Sequence, residues 1–162
     1  MLVVGYRVPR QILDFASRLL DQIAPALARP ASLRHDPGAL DIVAASPGAL
    51  GGALRAACAR ASVRPGSIAV IAADDQVAAL SRVLRAAGIG HAVLDGASGE
   101  DRLTVVPVTL AKGLEFDQVI VVEPARITAS GRRGPHRLYV ALTRAVSRLT
   151  VLHAEPLPAP LS

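Results

Sequence analysis

Short apolar runs alternate with amphipathic stretches along most of the chain, and this alternation predicts its secondary structure. Consecutive Val, Ile, Leu and Ala residues predict strands at 40–45, 68–72, 92–94, 103–108, 119–122 and 149–153. Helical spacing of apolar residues predicts helices over about 12–24, 49–61, 76–87 and 135–146. Apolar strands separated by helices are typical of a parallel sheet covered on both faces. The pattern therefore predicts an α/β domain with a mainly parallel sheet flanked by helices.

Turn-forming residues mark the connections between these elements. Residues 25–39 are rich in Pro and predict a connection, and the polar segment 125–134 predicts a loop. Ser46 and Asp74 stand where each could cap the helix that follows. A chain of 162 residues suggests one domain, which we place at 1–155. The Pro-rich tail 156–162 is expected to fray.

Composition narrows the functions that this domain could have. The net charge of +5 permits a polyanionic partner, but aromatic residues make up only 2% and argue against a stacking platform for single strands. One cysteine, Cys58, excludes a disulfide framework and fits a reducing cytoplasm. The four histidines lack the spacing of metal ligands, so no metal site is predicted. No apolar run reaches the roughly 18 residues of a membrane span, and no signal-peptide pattern begins the chain.

One charged segment, Ala111–Asp117, interrupts two apolar strands. It holds Lys112, the one lysine among the 18 Lys and Arg residues. Lysine is a compact cation, unlike arginine, so this position could require that shape. The alternative is a chance codon on a solvated turn. The chain cannot contain a phosphate-binding loop of the form G-x-x-x-x-G-K-[ST], since this lysine follows Ala111 and precedes Gly113. A self-sufficient nucleotide site is therefore not expected.

Arginines near the end of the chain are the other candidates for chemistry. Arg137 and Arg144 are seven residues apart in the last predicted helix, which would place them on one face. Arg144 stands among apolar and small neighbours, in Ala-Leu-Thr-Arg-Ala. A cation in such surroundings is expected to face an anion.

Three stretches of the chain, in order, resemble motifs of the superfamily 1 helicases of the UvrD, Rep and PcrA type. Thr109–Asp117 (Thr-Leu-Ala-Lys-Gly-Leu-Glu-Phe-Asp) resembles motif V, and Leu138–Ala145 (Leu-Tyr-Val-Ala-Leu-Thr-Arg-Ala) resembles motif VI. Gly5–Pro9 resembles motif IV. The chain is thus similar to the second RecA-like domain of such an enzyme, a P-loop NTPase-type fold without a Walker A motif. More narrowly, it resembles actinobacterial HelD, a helicase-like ATPase that binds RNA polymerase.

This resemblance implies an ATP site shared between two RecA-like domains. The first domain, N-terminal in the parent protein, would supply the phosphate-binding loop and the Mg²⁺ ligand, so this chain would hold neither. By resemblance, Arg7 and Arg144 would reach the γ-phosphate, Glu115 would bind the ribose, Gly113 would let the backbone approach the nucleotide, and Tyr6 would pack near the base. Planar guanidinium groups suit the charge that develops on a transferring phosphoryl group.

The motif V segment would also face nucleic acid, through Thr109 and Lys112. Lys112 has two interpretations, contact with a nucleic-acid phosphate or support of the loop itself, and the second is slightly favoured. Asp117 is expected to cap the turn or to pair locally. Gly5 replaces the usual Asn of motif IV, and Thr109 replaces the usual His of motif V. These departures, with the absence of the large insertion of unwinding enzymes, argue against processive unwinding.

We therefore expect the C-terminal half of a superfamily 1 DNA helicase-like ATPase, preceded in the parent by further sequence and inactive in isolation. ATP and Mg²⁺ would be used only by the complete protein. An alternative is a non-catalytic module that docks on RNA polymerase or nucleic acid. A third interpretation is an unrelated α/β domain in which the motifs occur by coincidence.

Overall fold

The computed structural model describes residues 8–23, 38–94 and 101–162. Its helices are α1 (Arg10–Ser17), α2 (Leu20–Ile23), α3 (Leu50–Ser62), α4 (Val77–Ala86), α5 (Pro124–Thr128) and α6 (Gly134–Leu142). Its strands are β1 (Leu40–Ala44), β2 (Ile68–Ala72), β3 (Ala92–Val93), β4 (Leu103–Pro107), β5 (Phe116–Val122) and β6 (Ala145–His153). Single turns of 3₁₀ helix lie at Pro47–Ala49, Asp74–Gln76, Val108–Leu110 and Ala159–Leu161.

The six strands form one sheet in the order β1-β6-β5-β2-β4-β3, and every neighbouring pair is parallel. All five residues of β2 are buried, as expected for an apolar strand between two others. The parallel arrangement gives the sheet two distinct ends. We call the end where the strands begin the amino edge and the end where they finish the carboxyl edge. The predicted α/β fold with a mainly parallel sheet is confirmed.

Helices cover both faces of this sheet because successive strand residues point to opposite faces. On one face, α1, α5 and α6 bury Phe15, Ile127 and Leu138 against β5 and β6 residues such as Val121 and Val151. On the other face, α3 and α4 bury Leu54 and Leu84 against alternate residues of the same sheet. With few aromatics, both layers of the core consist almost wholly of Val, Leu, Ile and Ala.

Several boundaries differ from the sequence-based expectation. The predicted loop at 125–134 contains α5, which begins with Pro124 at its first position and buries Ile127. The helix predicted to reach Val146 ends at Leu142, because Ala145 already pairs with Phe116 of β5. Helical and strand preferences of such short apolar runs are similar, and pairing along the sheet decides between them.

The expected capping and fraying also need correction. Neither Ser46 nor Asp74 makes a side-chain hydrogen bond to a helix start. The tail was expected to fray, but Leu161 is only 2% exposed and packs on the same core cluster as α1 and α6. Burial of one leucine stabilises such a segment by roughly 1.5–3 kcal/mol, which opposes fraying.

Candidate functional site

The predicted site residues fall into three groups in the structure. Arg7 and Tyr6, which come from the motif IV stretch, lie outside the described residues. Gly113, Glu115 and Arg144 come together at the amino edge, and Thr109 lies at the carboxyl edge. Lys112 occupies the turn between them.

The segment between β4 and β5 must travel from the carboxyl edge to the amino edge, since both strands are parallel to β2. It does so through the 3₁₀ turn Val108–Leu110 and a second turn that the Leu114 N–H closes on the Ala111 carbonyl, at 3.1 Å. Gly113 is third in that turn with φ of +81°, as in a type II turn. Backbone conformation alone therefore favours glycine here. The space beside its Cα is open.

Arg144 does not lie in the last helix, as predicted, but in the turn that joins α6 to β6. It therefore shares no helix face with Arg137. The Arg137 Nη1 donates instead to the Ser130 carbonyl, at 3.0 Å, near the start of α6 at the carboxyl edge. The two arginines stand near opposite ends of α6, and so near opposite edges of the sheet.

The Arg144 guanidinium is held entirely by its own chain. Its Nε donates to the Val140 carbonyl at 3.0 Å, its Nη1 to the Leu114 carbonyl at 3.2 Å, and its Nη2 to the Thr143 hydroxyl at 3.3 Å. The Phe116 N–H also donates to the Arg144 carbonyl, at 3.0 Å. Both side chain and backbone of Arg144 thus join the motif V segment to the motif VI segment.

The electrostatics of this cluster follow from its partial burial. Desolvation lowers the pKa of the Arg144 guanidinium, and the charges of Glu115 and Tyr139 oppose that shift. Burial raises the pKa of the Tyr139 hydroxyl, and the positive charge of Arg144 acts in the opposite sense. Three ionisable side chains at the amino edge therefore interact. A partly desolvated cation in such a cluster is a strong potential partner for an incoming anion.

Lys112 and Glu115 are both exposed on the loop that leads to β5. The Lys112 ammonium makes no hydrogen bond or ion pair within the described residues. No contact in that part of the chain therefore supports its predicted role in holding the loop. The ammonium group is exposed to solvent, where it could contact a phosphate.

Thr109 follows β4 at the carboxyl edge and is bound by a carboxylate. Its hydroxyl donates to Asp74 Oδ2 at 2.6 Å, and its N–H donates to Asp74 Oδ1 at 3.2 Å. Asp74, predicted as a helix cap, thus links the ends of β2 and β4. The sequence offered no signal for this pairing, since the two residues are 35 positions apart.

A cavity of about 330 Å³ adjoins this contact. Its charged lining residues are Asp74, Asp75, Arg126 and Arg137. The Arg126 guanidinium pairs with Glu155 at 3.1 Å. Acidic and basic groups are therefore mixed at this cavity, so it carries no strong charge of one sign.

Asp117 does not pair locally, as had been expected. Its Oδ2 accepts hydrogen bonds from the Ser67 N–H and hydroxyl, at 2.8 and 3.1 Å, across 50 positions of sequence. The Asp117 N–H returns a bond to the Ser67 hydroxyl at 3.1 Å. This exchange fixes the start of β5 beside the start of β2 and so holds the loop that bears Glu115.

Two further findings concern the described part of the chain. It contains no cluster of three or more His, Cys, Asp or Glu residues that could hold a metal ion. Among its helices, none is both long and apolar enough to cross a membrane.

Comparison with known proteins agrees with this fold. Residues 102–152 match the family model of the UvrD-like helicase C-terminal domain, a range that includes the motif V and motif VI segments. The C-terminal domain of a possible DNA helicase from Lactobacillus plantarum WCFS1 has a TM-score of 0.75 and 25% identity, with 98% of this chain and 92% of that chain covered. No curated protein matches the sequence.

A more distant structure shares the fold. Arterivirus nonstructural protein 10, a helicase solved in complex with DNA, has a TM-score of 0.52 and 18% identity over 72% of this chain and 29% of that chain. The chain thus has the α/β fold of a helicase C-terminal domain, with sequence similarity to the UvrD-like family in its last third.

Proposed function

We propose that this chain is the second RecA-like domain of a superfamily 1 helicase-like ATPase and supplies one side of an ATP site. The N-terminal RecA-like domain of the same parent protein would supply the other side, with the phosphate-binding loop and the Mg²⁺ ligand. Arg144 is the proposed γ-phosphate contact, joined by Arg7 from the motif IV stretch. Glu115 is the proposed ribose contact, and Tyr6 is proposed to pack near the base.

The observation that carries this proposal is the joining of two sequence-distant segments by Arg144 Nη1 and the Leu114 carbonyl. That contact puts a partly buried cation beside the exposed Glu115 at one edge of the sheet. A nucleotide has a polyanionic end and a hydroxyl-bearing sugar. A guanidinium and a carboxylate set side by side complement those two chemical groups.

ATP binding would require Arg144 to exchange acceptors. All three of its nitrogens donate to neutral oxygens of the chain, two carbonyls and a hydroxyl. Hydrogen bonds from a guanidinium to a phosphate oxygen are shorter and roughly twice as strong as those between neutral groups. The phosphate can therefore displace the weaker acceptors at Leu114 and Thr143, while the bond from Nε to Val140 keeps the side chain anchored.

Gly113 and Lys112 have supporting roles in this proposal. The open space beside Gly113 leaves room for the backbone to approach a ligand. Lys112 is exposed on the same turn, without a partner in the described residues, and is proposed to contact a nucleic-acid phosphate. The bound ATP with Mg²⁺ supplies the reactive phosphoryl group. This chain contributes charge and position around it.

The test is steady-state ATP hydrolysis by the complete parent protein carrying Arg144→Ala. We expect kcat to fall by roughly 10³, the usual loss when an arginine that stabilises phosphoryl transfer is removed. Arg133→Ala is the matched control, because the Arg133 side chain is exposed and has no partner among the described residues. Near-normal kcat in Arg144→Ala would rule out the proposed role. The isolated chain is expected to show no turnover.

A second candidate is a docking module for RNA polymerase, as the resemblance to HelD implies, with little catalysis. The engagement of Thr109 by Asp74 argues against a nucleic-acid contact at Thr109, because a carboxylate there repels phosphates, and this leaves a protein partner as the alternative. Capture of purified RNA polymerase by the immobilised chain tests this candidate. A chain that retains single-stranded DNA but no polymerase would contradict it.

A further inference from the structure

A groove of about 790 Å³ opens on the face of the sheet that carries α3, toward the amino edge. The C-terminal part of α3 forms one wall, and residues of β1, β5 and β6 form the floor. Apolar lining residues include Ala57, Ala61 and Ile120. Three arginines and one aspartate also line it: Arg60, Arg64, Arg148 and Asp41.

The arginine side chains of this groove make few contacts in the part of the chain that the structure describes. The side chains of Arg60 and Arg64 are exposed and make no hydrogen bond or ion pair within the described residues. Arg148 uses Nη1 to donate to the Gly38 carbonyl, at 2.8 Å. Asp41 forms no ion pair with any of the three. Among the described residues, few acceptors therefore use the donors of these three cationic groups.

The floor and rim indicate what kind of anion would fit. Val63, between Arg60 and Arg64 in the sequence, is 85% exposed at the rim. Gln118 on the floor is 6% exposed and is fixed by a hydrogen bond from its Nε2 to the Ala61 carbonyl, at 2.8 Å. A ligand here would meet apolar surface as well as guanidinium groups. That combination suits carboxylates borne on a partly apolar chain.

Nucleic acid fits the groove less well. No aromatic side chain is among the described residues that line it, so bases would have no surface for stacking. Asp41 stands in the same groove and would repel a continuous row of phosphates. A peptide can place an apolar, polar or basic residue opposite that carboxylate.

We propose that this groove binds an acidic segment of a protein partner, with Arg60, Arg64 and Arg148 as its carboxylate contacts. The segment 24–37 of this chain carries Arg29 and Arg34 against one acidic residue, Asp36, so its charge does not complement the groove. The groove lies on the face of the sheet that carries α3, and Arg144 follows α6 on the other face. The proposal therefore does not depend on the ATP half-site.

Fluorescence anisotropy of a labelled peptide with Glu residues flanking a central Leu tests the proposal on this chain. Arg60→Ser combined with Arg64→Ser should weaken binding about tenfold, because two arginine–carboxylate pairs are lost. Arg82→Ser combined with Arg85→Ser removes the same charge from exposed positions of α4 outside the groove, and should change affinity less than about twofold. Arg148→Lys keeps the positive charge at the third proposed contact, so it tests whether the paired donors of a guanidinium are needed there.

Results of three kinds would overturn the proposal. The first is equal weakening in both double variants, which would show only a general charge effect. The second is equal binding of a peptide with Gln in place of Glu, or no binding of the acidic peptide by the unaltered chain. The third is tighter binding of single-stranded oligothymidylate through Arg60 and Arg64, which would make the groove a nucleic-acid site. Thermal unfolding of each variant confirms that the fold persists.

Discussion

The two edges of the sheet hold arginines in opposite electrostatic situations. At the amino edge, Arg144 donates to two carbonyls and a hydroxyl, with one carboxylate, Glu115, near it. At the carboxyl edge, Arg126 is paired with Glu155, and Thr109 is held by Asp74. Neutral acceptors satisfy the hydrogen bonds of Arg144, and Glu115 is a carboxylate whose charge acts on it. The direct acceptors of Arg144 at the amino edge are therefore uncharged, whereas the carboxyl-edge cavity is lined by charged side chains of both signs.

This difference shows that an arginine can have its hydrogen bonds satisfied without having its charge paired. A guanidinium bonded to carbonyl oxygens is ordered but still cationic, so an anion gains both an attraction and a fixed geometry. A guanidinium already paired with a carboxylate offers neither without first losing that pair. Of the two edges, the amino edge is the better candidate for an ATP-binding site.

The largest expected effect concerns α6, which spans both edges. A Cβ at Gly134, the first residue of α6, would clash with the backbone carbonyl of Thr128. Gly134→Ala must shift α6 and should lower the free energy of unfolding by about 2–3 kcal/mol, measured by urea denaturation. Gly90→Ala is the control, since nothing lies within 4 Å of a Cβ there.

If α6 transmits a displacement from the carboxyl edge to the amino edge, Gly134→Ala has a second effect, at the end of α6 far from the substitution. Shifting the start of α6 should also disturb the hydrogen bonds of Arg144 just beyond its end. Relative to the unaltered chain, the amide chemical shifts of residues 114–116 and 143–145 should change in Gly134→Ala and remain the same in Gly90→Ala. Loss of stability without any change at these residues would show that the two edges are mechanically independent.

A smaller effect tests the contact at the carboxyl edge. Asp74→Asn keeps the shape but removes the charge that strengthens both hydrogen bonds from Thr109. We expect it to cost up to about 1 kcal/mol of unfolding free energy, since the contact is exposed. Asp75→Asn removes the same charge from a neighbour without a partner in the described residues, and should cost almost nothing. Equal costs would mean that the Asp74 contact does not stabilise the fold.

The smallest effect tests the charge of Arg144 through Tyr139. Burial raises the Tyr139 pKa above its ordinary value near 10, and Arg144 opposes this shift. Arg144→Met should therefore raise the Tyr139 pKa further, as followed by phenolate absorbance in a Tyr6→Phe background. An unchanged pKa would show that the two groups do not interact.

The linked change in stability has a defined sign. The folded state holds the Tyr139 proton more tightly than the unfolded chain does, because burial disfavours the phenolate. Its contribution to stability is therefore complete below about pH 10 and is lost as the pH rises through the folded pKa. Near neutral pH, the titration of this group should therefore give no change of stability with pH.

The sequence by itself determined the layered α/β fold and the segments that form the candidate site. Apolar runs of Val, Ile and Leu separated by amphipathic stretches have few stable alternatives to a parallel sheet covered on both faces. Segment 111–117 stood out because charged residues and a glycine interrupt two buried strands, and Gly113 indeed takes a positive φ there. Local chemistry sufficed for these features, because each depends on residues close together in the chain.

Tertiary structure alone decided which side chains meet. Arg144 was placed on a helix face with Arg137, but the pairing of β6 with β5 begins at Ala145 and ends the helix before it. Asp74 and Asp117 were each expected to act locally, yet their partners are Thr109 and Ser67, 35 and 50 positions away. Periodicity reports burial and local conformation, whereas such contacts depend on strand order and register, which bring distant chain ends to one edge of the sheet.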